Sequence, residues 1–424
     1  MQTYLKIGVN SFSQLLGRVF SASTTVLVTI LITRNLSREV WGDFVTVISF
    51  IALFTLIADF GLNGYVLKIF SASEERIEKS FGELLGLRIV LSLVAIFLGL
   101  AVLAFVPHSF AVKTGIVVGL IMILFQSVFS STAIVFQYKL RYDLYAISDI
   151  IGSLAILLLV FLATLTKTPL IFIVAIFVLG SFVRSMVGLL LARSLISFRG
   201  ISFSLLSFRS LMTSSLPLGL MIIFAQINNN IDKQIIALSD PKFLGVSAAI
   251  AVGIYGLAYR IFDFSVSLPT YVVNAAYPIL LNKIKDNEEE LFKFSRQLLI
   301  ILVTIGGLAA IVGWFLTPLV ISLFGSYSEA VLPTRILFLG LPVFFATSLL
   351  VWLLVTLNKE IVLPFIFGFA ALLNLVLNLI LIPRFGYNAA AWVTIITEIG
   401  ILVFLLVSLN AFSKISKNAK EDSN

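Results

Sequence analysis

Long apolar runs constrain this chain more than any other feature of its sequence. Twelve of them occupy most of its 424 residues, at 8–33, 41–70, 80–106, 112–138, 145–166, 169–192, 211–238, 246–277, 295–323, 332–357, 361–382 and 387–412. About 20 apolar residues in a helix cross the hydrocarbon core of a bilayer. Hydrophobic residues make up 60% of the chain and charged residues 12%, whereas soluble proteins have about 45–50% and about 25%. We therefore predict an all-α polytopic membrane protein with twelve transmembrane helices.

The residue types that many enzymes depend on are scarce. The chain has no cysteine, which excludes disulfides, thiolate metal sites and cysteine nucleophiles. Its single histidine, His108, makes histidine-based triads and multi-histidine metal sites unexpected. There is no Walker-A glycine-rich loop, so ATP is not expected to drive the protein directly. We predict that the chain is not an enzyme.

The distribution of basic residues predicts the orientation in the membrane. With twelve spans both termini share a side, and seventeen lysines and arginines fall on that side against seven on the other. Loops that stay in the cytoplasm carry the excess of lysine and arginine. The net charge of +8 therefore reflects topology rather than nucleic-acid binding, and both termini are predicted to be cytoplasmic.

This topology predicts the outcome of reporter fusions. A reporter joined after Lys167 follows the fifth span and should lie outside, whereas one joined after Lys285 follows the eighth and should lie in the cytoplasm. Paired alkaline phosphatase and fluorescent-protein fusions measure the side directly. Reporters on the same side would contradict the twelve-helix topology.

An internal repeat divides the chain into two halves. A shift of 211 residues aligns Trp41-Gly42-Asp43-Phe44 with Val252-Gly253-Ile254-Tyr255, so that each half has a hydrophobic-Gly-x-aromatic element at the start of its second span. Two halves of matching orientation are typical of transporters that bind their substrate between the repeats. We predict six-helix lobes at 1–200 and 201–424.

Several segments resemble a known family. They are TRNLSREVWGDF (Thr33–Phe44), ADFGLNGYVLK (Ala58–Lys68), IDKQIIAL (Ile231–Leu238), VGIYGLAYRI (Val252–Ile261) and NLVLNLILIPRFGYNAAAWVTIITE (Asn374–Glu398). The chain resembles the polysaccharide flippases, such as those for O-antigen units, of the multidrug/oligosaccharidyl-lipid/polysaccharide exporter superfamily. Lipid II flippases are similar but typically have fourteen helices.

The resemblance implies two six-helix lobes around a central cavity and transport by alternating access. It implies movement of an undecaprenyl-pyrophosphate-linked oligosaccharide to the outer leaflet of a bacterial or archaeal cytoplasmic membrane. The partners would be this lipid-linked oligosaccharide, membrane lipids and polysaccharide polymerase machinery, and no nucleic acid. The alternatives are a cation-coupled multidrug exporter (an antiporter) of the same superfamily and, in a different class, a membrane glycosyltransferase or O-antigen ligase.

Charges inside the predicted spans are the candidate substrate ligands, because each costs about 2.5–3.5 kcal/mol to insert unless it faces a cavity or a partner. The basic ones are Arg18, Arg88, Arg184, Lys233 and Arg260. The guanidinium fork suits phosphate oxygens, so Arg18, Arg88 and Arg260 are candidates for the pyrophosphate. The alternative is structural pairing, of Arg260 with Asp263 and of Arg88 with Glu83 or Asp59.

The stretch AQINNNIDKQIIAL places polar residues in the seventh span. Asn228 and Asp232 are four residues apart, as are Asn229 and Lys233, so a helix gathers them into one broad stripe. Asn228, Asn229 and Lys233 would face a water-filled cavity and contact sugar hydroxyls and phosphate. The alternative is a polar contact between helices.

A cation site is the last expectation. Lipid II flippases build one from their seventh, eleventh and twelfth helices, and Asp232, Asn374, Asn378 and Thr394 are similar in placement. Carboxylate, amide and hydroxyl oxygens suit Na⁺, whereas protonation of Asp232 or Glu398 would couple the cycle to H⁺ instead. Lys233 as an internal cation, and amide pairs that only join helices, are the alternatives. No other cofactor is expected.

Overall fold

The computed structural model describes the backbone of residues 2–60, 62, 77–166, 168–196, 200–202, 205–286 and 288–421. It describes their side chains except those of 2–16, 18, 77–80, 205–211, 214, 278, 285, 286, 288 and 412–421. Over this part of the chain all regular secondary structure is helical. The protein is an all-α polytopic membrane protein, as predicted.

Fifteen α-helices follow one another among the described residues. They are α1 (Gln2–Asn35), α2 (Arg38–Asp59), α3 (Ile77–Phe105), α4 (Phe110–Gly119), α5 (Ile121–Tyr138), α6 (Tyr142–Thr164), α7 (Leu170–Arg193), α8 (Leu205–Leu238), α9 (Pro241–Leu244), α10 (Ala248–Asp286), α11 (Glu288–Ser322), α12 (Val331–Leu339), α13 (Leu341–Thr356), α14 (Leu363–Phe385) and α15 (Asn388–Glu421).

Each of the twelve predicted spans contains a helix or a broken pair of helices. Among the described residues nine helical segments are long and apolar enough to cross a membrane, and the pair α12 and α13 would make a tenth. The first and seventh predicted spans are occupied by α1 and α8, each 34 residues long. At 1.5 Å per residue such a helix is about 51 Å long, which exceeds the hydrocarbon core. The number of twelve membrane-spanning helices stays a prediction.

The second helix is shorter than predicted. Its start is capped by Ser37, whose hydroxyl accepts a hydrogen bond from the Val40 amide. It ends at Asp59 rather than at residue 70, because Phe60 has φ of 38° and turns the chain out of the helix. Gly61, the next residue, lies outside the described residues.

Proline and glycine interrupt the tenth predicted span. α12 and α13 meet at an angle of 45° around Gly340. Pro342 has no amide hydrogen, so the helical hydrogen-bond ladder is interrupted there. A Cβ atom at Gly340 would lie 3.1 Å from the Ile395 side chain, so the glycine also lets α15 approach closely.

The chain folds into two compact units, Met1–Gln226 and Ile227–Asn424, which divide within α8. The predicted lobes divide at 200/201, in the segment before that helix. In the first unit α1 packs along α6, and α7 packs against both α5 and α6. In the second unit α10, α11 and α13 pack together, and α15 packs against α13 and α14.

Small residues allow these close helix contacts, as is common in membranes. A Cβ atom at Gly17 would lie 2.7 Å from Cβ of Ala146, where α1 meets α6. One at Gly313 would lie 2.3 Å from the Phe338 ring, where α11 meets α12. The outward faces carry large apolar side chains, for example Phe97, Phe315 and Phe365, which are 70%, 73% and 76% exposed. Such faces are suited to lipid rather than to water.

Candidate functional site

The polar stripe of α8 lies inside the second unit. Asn228, Asp232, Lys233 and Gln234 are buried, and Asp232 is completely so. Helical spacing places Asp232 next to Asn228 and Lys233 next to Asn229. Burial of so many polar groups is costly unless each finds a partner or a ligand.

Tyr255 on α10 joins two of the predicted cation ligands. Its hydroxyl donates to Oδ2 of Asp232 over 2.5 Å and lies 3.3 Å from Oγ1 of Thr394 on α15. The other carboxylate oxygen of Asp232 accepts a hydrogen bond from the Lys233 amide, at 2.7 Å. The Tyr255 hydroxyl therefore links α8, α10 and α15.

The Lys233 ammonium has closer partners than the Asp232 carboxylate. Nζ donates to the Asn229 carbonyl oxygen over 2.5 Å and lies 3.7 Å from the centre of the Tyr259 ring. Its distance to Oδ1 of Asp232 is 3.9 Å, at the outer limit of an ion pair. Tyr259 also donates to Oδ1 of Asn229, at 3.3 Å. The carbonyl and the aromatic face hold the ammonium more closely than the carboxylate does.

The two amides of α14 form a second part of the network. Nδ2 of Asn378 donates to Oδ1 of Asn374 over 2.8 Å, and Nδ2 of Asn374 lies 3.5 Å from Oγ1 of Thr397. Thr397 in turn donates to the Thr394 carbonyl, at 3.0 Å. Both asparagines are completely buried, and Oδ1 of Asn378 has no hydrogen-bond partner among the described residues. A buried carbonyl oxygen of this kind is suited to a cation.

These contacts form a continuous path from Asp232 through Tyr255, Thr394 and Thr397 to Asn374 and Asn378. Among the described residues no group of three or more acidic, histidine or cysteine side chains could hold a metal. A single carboxylate with neutral amide and hydroxyl oxygens suits a monovalent cation better than a divalent one. The roles of the four predicted ligands stay predictions.

Glu398 lies one helical turn after Thr394 on α15. It is 7% exposed, and its Oε1 accepts a hydrogen bond from Thr347 on α13. Arg260 and Asp263 lie one turn apart on α10, with Arg260 half-buried and Asp263 exposed. Arg260 has interactions of its own within the protein.

In the first unit Arg88 is completely buried. Its Nη2 lies 2.7 Å from Oδ1 of Asp59, and Nη1 lies 3.3 Å from Oγ of Ser131. Of the two partners considered from the sequence, Asp59 is in contact with Arg88. This is the arrangement of a structural ion pair, and its role in substrate binding stays a prediction. The side chain of Arg18 lies outside the described residues.

Two polar contacts, one in each unit, were missed from the sequence. Arg184 on α7 pairs with Asp149 on α6, with Nε 3.1 Å from Oδ1. Tyr255 was noted as part of the repeat and not as a site residue. Both contacts join different helices, which residue spacing does not predict, although a tyrosine within a span usually finds a partner for its hydroxyl.

Comparison with known proteins gives the family. A family model described as polysaccharide biosynthesis protein matches residues 7–283, more than half of the chain. The chain belongs to this polysaccharide biosynthesis protein family. No curated protein matches the sequence significantly.

Solved structures share the fold of this polysaccharide biosynthesis protein. One is a lipid II flippase, MurJ, in an inward-closed conformation, with a TM-score of 0.72, 16% identity, and coverage of 95% of this chain and 87% of that one. Another is an inward-facing multidrug resistance MATE family transporter of the MOP superfamily, with a TM-score of 0.68, 14% identity, and coverage of 93% and 96%. A MOP superfamily transporter from Pyrococcus furiosus Vc1 has a TM-score of 0.65, 13% identity, and coverage of 96% of both chains.

The family match covers part of the candidate cation site. It includes Asp232 and Tyr255, whereas Asn374, Asn378 and Thr394 lie beyond residue 283. In this polysaccharide biosynthesis protein Asn374, Asn378 and Thr394 are therefore candidate ligands because of the structure and not because of the family match.

Proposed function

We propose that the chain is a flippase, and not an enzyme, that moves undecaprenyl-pyrophosphate-linked oligosaccharide from the cytoplasmic to the outer leaflet of the cytoplasmic membrane. One observation carries the proposal: a member of the polysaccharide biosynthesis protein family has, over 95% of its length, the fold of a lipid II flippase. Alternating access would move the head group, with both termini in the cytoplasm. Polysaccharide polymerase machinery would use the product.

The charged and amide side chains supply chemistry for the two parts of the head group. Arg18, Lys233 and Arg260 are the candidates for pyrophosphate contact. Asn228 and Asn229 are candidates for sugar hydroxyls, and Oδ1 of Asn228 is a buried acceptor without a hydrogen-bond partner among the described residues. Arg88 is a weaker candidate, because its guanidinium is completely buried against Asp59.

The membrane potential favours outward movement of such a substrate. Two negative charges leaving an inside-negative cell gain about 2 × 2.3 kcal/mol per 100 mV. Cationic side chains would then act mainly by lowering the cost of removing the pyrophosphate from water, since the net driving force is already favourable.

A coupling ion would return the empty carrier. We place Na⁺ at Asp232, Asn374, Asn378 and Thr394, because hydrogen bonds connect these groups and Oδ1 of Asn378 is an acceptor without a donor in the described structure. Protonation of Asp232 or Glu398 is the alternative form of coupling.

A multidrug exporter is the second candidate function, and the observation that favours it is the shared fold with a MATE family transporter. Liposomes separate the two functions. We expect purified protein to expose a fluorescent undecaprenyl-pyrophosphate oligosaccharide from the inner leaflet to a membrane-impermeant quencher, which empty liposomes do not do. Ethidium transport by the same preparation should stay at the level of empty liposomes. Ethidium transport without lipid movement would establish the exporter instead.

The same assay tests the arginine in α1. Arg18→Ala should reduce lipid movement to the level of empty liposomes while the amount of folded protein stays unchanged. Arg34→Ala is the matched control, because Arg34 is an exposed arginine at the end of the same helix. This variant should move the lipid at the wild-type rate. Wild-type rates from Arg18→Ala would show that Arg18 is not a substrate ligand.

A further inference from the structure

A polar cavity lies within the first unit, away from the network around Asp232. It has a volume of about 370 Å³ and is bounded by α5, α6 and α7. Binding pockets for small ligands have volumes of about 300–1,000 Å³, so this one suits a ligand at the small end of that range.

One face of α5 supplies much of the polar lining. Gln126, Ser130 and Gln137 all line the cavity, and their spacing brings them to one side of the helix. Ser181 and Arg184 line it from α7. Glutamine and arginine are unfavourable against lipid tails, so their presence indicates a space that polar groups enter. Each amide offers both a donor and an acceptor, as each sugar hydroxyl does.

An aromatic wall completes the cavity. The rings of Phe129 and Tyr145, both lining residues, have centroids 5.3 Å apart. A sugar ring presents polar hydroxyls at its rim and C–H groups on its faces. Flat aromatic surface packs against the faces, while the amides and hydroxyls bond the rim.

Among the described residues the charged group in the lining is Arg184, and it is already neutralised. Nε of Arg184 lies 3.1 Å from Oδ1 of Asp149, and Ser21 donates to the other oxygen of that carboxylate. Gly152 makes room for this pair, because a Cβ atom there would lie 2.7 Å from Cβ of Arg184. Since this ion pair carries no net charge, the described part of the lining favours a neutral ligand over an anion or an organic cation.

The cavity also reaches the side on which a head group would enter. Gln137 lies in the last turn of α5, next to the predicted cytoplasmic loop at Lys139–Arg141. Gln126 lies eleven residues earlier, about 16 Å deeper along the helix. A ligand could therefore pass from the cytoplasmic end towards the middle of the membrane.

We propose that this cavity binds a neutral pyranose residue of the oligosaccharide head group before transfer. The inference rests on the proposed flippase function for its biological role, although sugar binding itself can be measured without transport. The amides of Gln126 and Gln137 would select for the positions of the hydroxyls.

Saturation-transfer NMR on the purified protein tests the inference directly. The probes are methyl glucoside and N-acetylglucosamine as neutral pyranoses, glucuronate as an anion, and tetraphenylphosphonium as an organic cation. We expect transfer to at least one neutral pyranose and weaker transfer to the other two classes. The double variant Gln126→Ala with Gln137→Ala should bind the pyranose about tenfold more weakly, because it lacks two hydrogen-bonding amides.

Two further variants keep the result interpretable. Gln137 is exposed, so Gln137→Ala alone should fold as the wild type does and still weaken binding. Gln297→Ala removes an exposed glutamine from the second unit and should bind as the wild type does. Absence of transfer to every neutral pyranose, unchanged affinity in both pocket variants, or preference for the organic cation would each overturn the inference.

The proposed function and this inference fail in different ways. Lipid movement with no effect of the pocket variants on sugar binding would leave the flippase intact and remove the sugar site. Pocket-dependent sugar binding without lipid movement would support the site and contradict the flippase.

Discussion

Replacing Arg88 with alanine should lower the free energy of unfolding by about 3–5 kcal/mol, because it leaves the Asp59 carboxylate without its buried partner. The guanidinium is completely buried and lies 2.7 Å from the carboxylate. It also contacts the Ser131 hydroxyl. Thermal and urea unfolding of the detergent-purified protein measure the loss.

The chain contains a matched control for this experiment. Arg141 and Asp143 form an ion pair of similar length, 2.8 Å, but both side chains are largely exposed. Arg141→Ala should therefore cost about 0–1 kcal/mol. The double variant Arg88→Ala with Asp59→Asn should recover part of the stability, because no charge is left unpaired. If Arg88→Ala is as stable as Arg141→Ala but no longer flips lipid, Arg88 is a substrate ligand and not a structural residue.

Asp232→Asn should abolish the response of the protein to sodium. A ligand at a hundred times its dissociation constant stabilises a folded protein by about 2.7 kcal/mol, so saturating Na⁺ should raise the melting temperature of the wild type. The variant lacks the one carboxylate among the predicted ligands, so its melting temperature should be the same in Na⁺ and in K⁺. We also expect its rate of lipid movement to fall at least tenfold.

Two other variants test the same site, one as a control outside it and one by adding a carboxylate to it. Glu290→Gln removes an exposed carboxylate that pairs with Lys283 at 3.2 Å, outside the Asp232 network, and its sodium response should stay that of the wild type. Asn378→Asp places a second carboxylate where a buried amide oxygen has no partner in the described structure, and it should bind Na⁺ more tightly. A wild-type melting temperature that does not depend on sodium would exclude sodium coupling and leave a proton-coupled or potential-driven cycle.

The positions of the helices could be predicted because apolar run length has a direct physical meaning in a bilayer. Every predicted span contains a helix, and the error in the second span has a local cause, the left-handed Phe60. The stripe on α8 was also predictable, since Asn228 and Asp232 are neighbours through helical spacing alone. The number of membrane crossings depends on where the bilayer lies along each helix, and the reporter fusions will measure it.

Contacts between helices could not be predicted in the same way. Spacing placed Asn374 next to Asn378, and the structure joins them by a hydrogen bond. Nothing in the spacing of Asp149 and Arg184, or of Asp232 and Tyr255, indicates that they meet. Those pairs depend on how far small residues such as Gly152 let neighbouring helices approach, which is a property of the packed structure.

The Tyr255 hydroxyl has one hydrogen to donate, and two acceptor oxygens lie near it, one on Asp232 and one on Thr394. Its oxygen lies 2.5 Å from Oδ2 of Asp232, which accepts that hydrogen, and 3.3 Å from Oγ1 of Thr394. A cation on the carboxylate and a proton on the carboxylate would have the same effect, since each removes the negative charge that attracts the hydrogen. The hydroxyl would then rotate towards Thr394 on α15. The Tyr255 hydroxyl would thus couple the charge of the carboxylate on α8 to the hydrogen bonding of α15. The O–H stretching frequency of this tyrosine would shift with that change.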